Sequence, residues 1–557
     1  MDGKRERGSD ETESSTRSDT TAATAFTAMT SPTGGQILPD LKPPDERKAE
    51  GYYKWLPSRP RLVGTTAGDE RWVVLPEFVE EWRESLVRGL FAIGPHSIRD
   101  CWEAGLCGEV QDALSDLPWT SIDVFRMGMD SPDYKDKPVV IWVGVETSSI
   151  PWPTVAKALR ACRGLLDARN MHDVECEIRV SQVQRLAGPP LVAPTPHFWL
   201  PEEYSLQSIS TTIGQSFASA KQPDIQGTLG LYLWPRRAAV EDPPMWALTC
   251  RHVALPEKAS AHPDNTLYCR RNTAQPALDM LIPGSKTITN ALAELRLATD
   301  AIEDRIQRNE QHHDDGGNLQ LYQDLLAKYS ALKKTFSAFE PLEARVAGHV
   351  VLSPPISQGW AGPLPWTRDW CLVRMELEKF GGKYPRNVVD MRAHGVLIST
   401  AIQALNPHPE NKFKFVYPSN GLFPLTGTIP IDEMTKPWML DGNGHECILV
   451  CKHGSATGLT FGAASEVKSI VRANGDTNME WAVAGLSTND KRFVPAFSAA
   501  GDSGAVVFDI KGRVGGLLTG GATTGVGDHI RDVSYVTPAE WLLKDIEETL
   551  GQEVKLV

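Results

Sequence analysis

The chain has 557 residues, 41% of them hydrophobic, with 16 Trp for packed cores, and 57 Lys+Arg against 70 Asp+Glu leave a formal charge of −13. That length admits about three or four domains. The acidic balance, without any long basic run, argues against a nucleic-acid or anionic-membrane surface, either of which needs clustered Lys and Arg. No apolar stretch approaches the roughly 18 residues a membrane-spanning helix needs. The nine cysteines, an odd number with no C-x-x-C pair, read as reduced thiols of an intracellular, cytoplasmic chain. The charged segment 1–13 lacks the apolar core of a signal peptide.

Residues 1–50 are rich in Ser, Thr, Asp, Lys and Arg and too polar to bury anything, which predicts a disordered tail. From Tyr52 the composition turns globular. Apolar residues at helical spacing predict helices over 76–87 and 97–114, and a strand follows at 122–125. Next come a buried strand over 138–145, an amphipathic helix over 153–168 and an alternating strand over 174–183, a βαβ unit. Residues 51–188 are therefore expected to form a small α/β domain. It has no G-x-G-x-x-G and no P-loop pattern, and His172, Asp173 and Glu175 read as loop and strand-edge residues. A packing, targeting or protein-interaction role is expected for it in preference to a second active site. Prolines at 189, 190, 194 and 196 mark 189–204 as a linker.

Past the linker, Gly227–Trp234 and Trp246–Ala254 are strand-like, and the second runs into His252. Asp369 opens another apolar run, Asp369-Trp370-Cys371-Leu372-Val373. The interval 369 − 252 = 117 positions contains two helical patterns. One carries Ile288, Leu292, Leu295, Thr299, Ile302 and Ile306, and the other Tyr322, Leu325, Tyr329, Leu332, Phe336 and Phe339. With the polar turn His312–Gly317 between them, they predict an antiparallel helical hairpin over 286–345 with a coiled-coil-like seam. The His312-His313-Asp314-Asp315 cluster reads as a solvated turn, not a metal site. His349 lies in an apolar strand and reads as packed.

The stretch Phe497–Asp509 presents Ser503 on a bend, Gly501-Asp502-Ser503-Gly504, followed at once by Ala505-Val506-Val507-Phe508. An acyl-transfer serine needs an exposed Oγ and backbone N–H groups aimed at the developing oxyanion. Glycine on each side permits that backbone shape. Gly-Asp-Ser-Gly is also ordinary turn chemistry, so the nucleophile reading needs a base and a carboxylate, which His252 and Asp369 offer.

In this order and setting, His252, Asp369 and Ser503 resemble the trypsin/chymotrypsin-like serine peptidases. Thr249–Val253 resembles the family's T-A-x-H-V, Asp369–Val373 its D-x-A-L strand, and Gly501–Ser503 its G-D-S-G-G-P, from which Ala505 and Val506 depart. Lys452–Gly462 is similar to a K-x-G-x-T-T-G-x-T-x-G strand pair of intracellular trypsin-like peptidases, particularly fungal ones. Gly515–Gly521 resembles the substrate-pairing strand, and Val533–Pro538 the strand leading into the C-terminal helix. The resemblance spans roughly residues 205–550.

It implies a mainly β, chymotrypsin-like double β-barrel over 205–557, interrupted by the hairpin and preceded by the α/β domain. It further implies a serine endopeptidase acting on protein or peptide, with His252, Asp369 and Ser503 catalytic and the Gly501 and Ser503 amides as oxyanion hole. Phe497 stands at the pocket-base position, where it predicts an apolar preference. Thr519, Gly520 and Gly521 would line the substrate-pairing wall. No metal or other cofactor is implied. Asp502 pairs with a newly cut N-terminus in secreted relatives, but here about 200 residues precede the barrel, which puts that route in doubt. The rival expectation is a catalytically silent scaffold whose α/β domain or hairpin binds partner proteins, and a third is an oligomer built on the hairpin.

Overall fold

In the computed structural model the described residues are 41–56, 58–68, 88–129, 132–185, 208–236, 243–255, 265–270, 275–312, 316–360, 365–380, 384–392, 398–473, 475–486, 496–523 and 532–556. The expected helix at 76–87, the proline-rich 189–204, the 313–315 part of the hairpin turn and the tail as far as residue 40 lie outside them. Within the expected tail, Glu46–Gly51 form a short helix capped by Asp45, whose carboxylate accepts the Lys48 N–H.

Strands β1 (Leu62–Thr65), β2 (Arg88–Phe91), β3 (Trp119–Met129), β4 (Val139–Val145) and β5 (Val174–Val180) form a sheet in the order β1-β5-β4-β3, with β2 on β3. β4 and β5 run parallel, Val139 opposite Val174, and helix Trp152–Asp167 joins them. Its Val155, Leu159, Cys162 and Leu166 recur every three or four residues and are buried against the sheet with Ile141 and Val143, the stripe a crossover helix must bury. The run 174–183 does not stay one strand. It divides at Ser181, whose N–H donates to the Val145 carbonyl and whose own carbonyl accepts the Thr120 hydroxyl. Beyond it β6 (Gln182–Arg185) departs.

The second sheet uses β7 (Ser216–Ser219), β8 (Gln226–Thr228), β9 (Leu231–Pro235), β10 (Trp246–Thr249), β11 (Tyr268–Cys269), β12 (Asp279–Leu281) and β13 (Val346–Ser353). After β14 (Ser357–Trp360) and β15 (Pro365–Arg368) comes β16 (Cys371–Met375), and the order is β9-β10-β16-β13-β12-β7-β8, a half-barrel. Between β12 and β13 stand helices Ser285–His312 and Gly316–Ser337. Ile288, Leu292 and Leu295 of the first pack with Leu332 and Phe336 of the second in a small core of their own.

Then follow β17 (Val388–Asp390), β18 (Leu422–Pro424), β19 (Met439–Leu440), β20 (Glu446–Gly454), β21 (Gly458–Ala464), β22 (Ser469–Ala473), β23 (Asp476–Gly485), β24 (Val506–Asp509), β25 (Val514–Thr523), β26 (Val533–Pro538) and β27 (Val554–Leu556). Six of them close a ring, β20-β21-β23-β26-β25-β24 and back to β20. Ring closure removes free edges, and the interior fills with inward side chains such as Ile448, Val450, Trp481, Val483, Val507 and Leu518. The molecule is thus mainly β, with one closed six-stranded barrel and one half-barrel, as in a chymotrypsin-like double barrel.

β23 is longer than the barrel. Its first half pairs with β22, and β22 pairs with β3 (Ile470 opposite Ile122), so the α/β sheet and the barrel are one continuous sheet. Phe125, Trp142, Ala482, Ala522 and Tyr535 share a core across that junction. Tyr535 donates its hydroxyl to buried Asp123 at 3.1 Å.

Candidate active site

Antiparallel pairing of β10 with β16 sets Thr249 opposite Cys371. His252, three residues past the end of one strand, and Asp369, two before the start of the other, are therefore brought together although 117 positions separate them. The His252 Nδ1 lies 2.6 Å from Asp369 Oδ2, and Asp369 Oδ1 accepts the His252 backbone N–H at 3.2 Å. A carboxylate only accepts, so Nδ1 carries the proton and Nε2 is left as the basic nitrogen. Nε2 is buried and has no hydrogen-bond partner among the described residues.

Neighbouring side chains fix the two segments. The buried Arg251 guanidinium donates to the Ser353, Pro354 and Thr266 carbonyls. On the far side of Asp369, the Trp370 indole N–H and the Arg368 guanidinium both donate to Asp545 of helix Ala539–Leu550, at 2.6 and 2.7 Å. Cys250, His252 and Asp369 offer a sulfur, a ring nitrogen and a carboxylate oxygen within 4.8 Å of one another. The Cys250 thiol donates to the Leu518 carbonyl at 3.3 Å and the carboxylate is engaged by the ring, so the sulfur and the carboxylate already have partners.

Ser503 sits just before β24, in a turn closed by the Ala505 N–H donating to the Asp502 carbonyl at 2.9 Å. Gly501 and Gly504 have φ of +106° and +90°, left-handed conformations that suit glycine. Gly504 has a second reason to be glycine, because an added Cβ would stand 2.3 Å from the Thr228 carbonyl oxygen. Neither the Gly501 nor the Ser503 N–H donates a hydrogen bond among the described residues. The Ser503 hydroxyl makes one long contact, 3.5 Å to the Thr519 carbonyl, weak at that length.

Two residues to which motif reading assigned no role at the serine hold this turn. Thr228, at the end of β8, receives the Thr249 hydroxyl on its carbonyl at 2.8 Å. Its N–H donates to the Ser503 carbonyl at 2.7 Å and its hydroxyl to the Gly501 carbonyl at 3.0 Å. It thereby ties the His252 strand to the serine turn.

Lys452 is the other. Its ammonium lies 3.3 Å from Asp502 Oδ2, and both side chains are fully buried. Thr457 completes the cluster, its hydroxyl accepting from Lys452 at 2.5 Å and donating to Asp502 at 2.7 Å. Asp502 also accepts the Ala456, Thr457 and Ala499 N–H groups. Burial pushes the Lys452 ammonium below the usual lysine range, opposed by the adjacent Asp502 charge. The only sequence signal for this pairing was the lysine that opens the Lys452–Gly462 motif.

The remaining expected residues lie in the same barrel. Thr519, Gly520 and Gly521 are on β25, and the Thr519 carbonyl faces Ser503. Phe497 is fully buried among Trp481, Val483 and Ala505 of the barrel core, and its carbonyl accepts the Thr460 hydroxyl at 2.7 Å. His349 is half-buried on β13 opposite Arg374, and burial lowers its pKa. His172 is exposed, 3.1 Å from Asp167.

No family model matches the chain, and no curated protein matches it. Among solved structures it is similar to a glutamic acid specific serine protease described as using a novel histidine triad in substrate binding, at 10% identity and TM-score 0.29 over 62% of this chain and 100% of that one. It is similar also to Thermobifida fusca Protease A, at 10% identity and TM-score 0.27 over 62% and 98%, and to the Cellulomonas bogoriensis chymotrypsin, at 14% identity and TM-score 0.20 over 39% and 82%.

Proposed function

We propose that the protein is a serine endopeptidase working through His252, Asp369 and Ser503. The observation that carries this reading is that, among the described residues, the Gly501 and Ser503 amides beside the serine have no acceptors. Buried N–H groups are ordinarily paired, so two unpaired ones flanking one hydroxyl suit an oxyanion that forms only during reaction.

Ser503 Oγ attacks the peptide carbonyl and His252 Nε2 takes its proton. Asp369 holds the ring in the tautomer that leaves Nε2 basic and stabilises the imidazolium. The tetrahedral oxyanion is received by the two amides. Collapse expels the amine, protonated by His252, and water hydrolyses the resulting ester by the reverse proton path. This mechanism uses no metal or organic cofactor.

Lys452 takes the part that a newly formed N-terminus plays elsewhere. An internal ammonium neutralises Asp502, so the turn carrying Gly501 and Ser503 is ordered without an activating cut. With Phe497 turned into the barrel core, position 497 offers no acidic partner for Lys or Arg, so apolar substrate residues are favoured; a peptide panel cleaved mainly after Arg overturns that preference. Nine free thiols, seven of them buried, suit a reducing, intracellular setting.

Labelling by a serine-directed fluorophosphonate tests the reading. Wild type should label, and Ser503→Ala and His252→Ala should not. A second reading, a silent scaffold, is favoured by the complete burial of Ser503. A folded protein that no fluorophosphonate labels and that cleaves no peptide would establish it.

A further inference from the structure

β6 ends beside the candidate nucleophile. It pairs antiparallel with β25, Gln182 opposite Thr523, Val183 opposite Ala522, Gln184 opposite Gly521 and Arg185 opposite Gly520. Chain position rises along β6 as it falls along β25, so the carboxyl end of β6 is directed at Thr519, whose carbonyl accepts the Ser503 hydroxyl. An extended peptide that pairs antiparallel with this edge and brings a carbonyl to Ser503 runs in the same direction. We propose that β6 is a resident, substrate-like strand that occupies the Gly520–Thr523 edge, so that the enzyme is self-blocked and a peptide substrate binds only by displacing it. This rests on the serine-peptidase reading.

The occupancy is exclusive because a sheet edge offers each backbone N–H and C=O to one partner strand. Strand addition draws its affinity from those main-chain bonds, which β6 and an incoming peptide supply alike. Gly520 and Gly521 present no side chains to keep either backbone away.

What favours β6 is its tether. Ser181, the residue before it, is fully buried and bonded on both sides to the α/β sheet, and that sheet is continuous with the barrel through β3 and β22. The strand is therefore held at the edge at an effective concentration of roughly millimolar or more. The fit to a closed site extends to the reacting groups, since Ser503 is 0% exposed and His252 8%.

The test replaces Gln182–Arg185 in the full chain by Gly-Ser-Gly-Ser, which keeps the length and weakens strand pairing. With a cleavable peptide, KM should fall about tenfold or more while kcat holds, because the block reduces apparent affinity by the unoccupied fraction. Mere loss of folded protein would lower kcat and leave KM alone. In the converse variant, Gln182→Cys with Thr523→Cys, a disulfide joins residues directly opposed across the strands, where Cα separations suit the bond. Oxidation should cut peptide turnover at least tenfold, and dithiothreitol should restore it.

A KM unmoved by the Gly-Ser replacement, or turnover indifferent to the locked strand, overturns the self-block. Wild type that labels with fluorophosphonate in that case leaves the peptidase reading standing. If neither wild type nor the Gly-Ser variant labels, the peptidase reading fails and the self-block with it.

Discussion

The half-barrel and the closed barrel supply their parts of the site by different physical means. The half-barrel contributes a pair of side chains, His252 and Asp369, placed by the adjacency of β10 and β16. That placement is local, so the helical hairpin enters between β12 and β13, the next two strands beyond β16, without entering the pair. The closed barrel contributes a backbone shape, the turn at Gly501–Gly504. A buried Asp502–Lys452 ion pair holds that shape together with bonds to Thr228 at the end of β8 and to Leu518 of β25. The side-chain pair depends on sheet register, and the shape of the serine turn depends on buried charge and on backbone bonds from distant segments.

Breaking each side separately should sharpen the contrast. The largest expected effect is on the half-barrel side: Asp369→Asn keeps the shape, but its amide can donate to Nδ1 and favour the wrong tautomer, so kcat should fall by about 10⁴. Thermal unfolding should move little by comparison, and steady-state kinetics beside calorimetry would measure both. A fall of tenfold or less would remove Asp369 from the role assigned to it.

On the barrel side, Lys452→Met strands the Asp502 charge in the interior, and stability should drop by about 3–5 kcal/mol. Turnover of the protein that remains folded should fall about a hundredfold to a thousandfold as the oxyanion amides lose their position. Adding Asp502→Asn removes the orphaned charge and should recover most of the stability but not the turnover. Recovery of both would mean that the ion pair has no part in positioning the amides.

The same pair predicts a pH signature. The folded pKa of Lys452 lies below the ordinary lysine value because of burial. Between it and the unfolded value of about 10.4 the unfolded chain binds the extra proton, so this group's contribution to stability rises with pH. Turnover has the opposite sign, since deprotonation leaves Asp502 without its counter-charge. The pH–kcat profile should fall on the alkaline side below about pH 10, with no drop in melting temperature attributable to Lys452. Loss of activity and melting temperature in step would contradict this.

The smallest effect is expected from the hairpin. Its contacts are largely its own, Ile288, Leu292 and Leu295 against Leu332 and Phe336. Joining β12 to β13 by a short turn should leave turnover within about twofold, as distant, independent sites behave. A larger change in kcat on peptide substrates would give the hairpin a gating role.

Much of this was legible before any coordinates. The turn Gly501–Gly504, the apolar strand running into His252 and the one opened by Asp369 are local patterns, and the two helical runs between them follow spacings of three and four. The strand break at Ser181 showed only as a slip in the alternation, which holds from Val174 to Val180 and changes phase at Gln182–Val183, and pattern alone does not say which partner strand the second segment joins. The pocket-base position is similar: offset from Ser503 pointed to Phe497, yet whether its ring faces a substrate or the Trp481 core depends on the barrel around it.

By itself, then, the sequence determined which residues are candidates for reactive chemistry and which local shapes the backbone takes around them, because periodicity and glycine placement act within a few residues. Only the tertiary structure decided that Lys452 neutralises Asp502, that Thr228 ties the half-barrel to the serine turn, and that β6 lies on the β25 edge. Those are contacts between segments far apart in the chain, set by strand pairing and by the burial of charge, and local pattern does not name the partner.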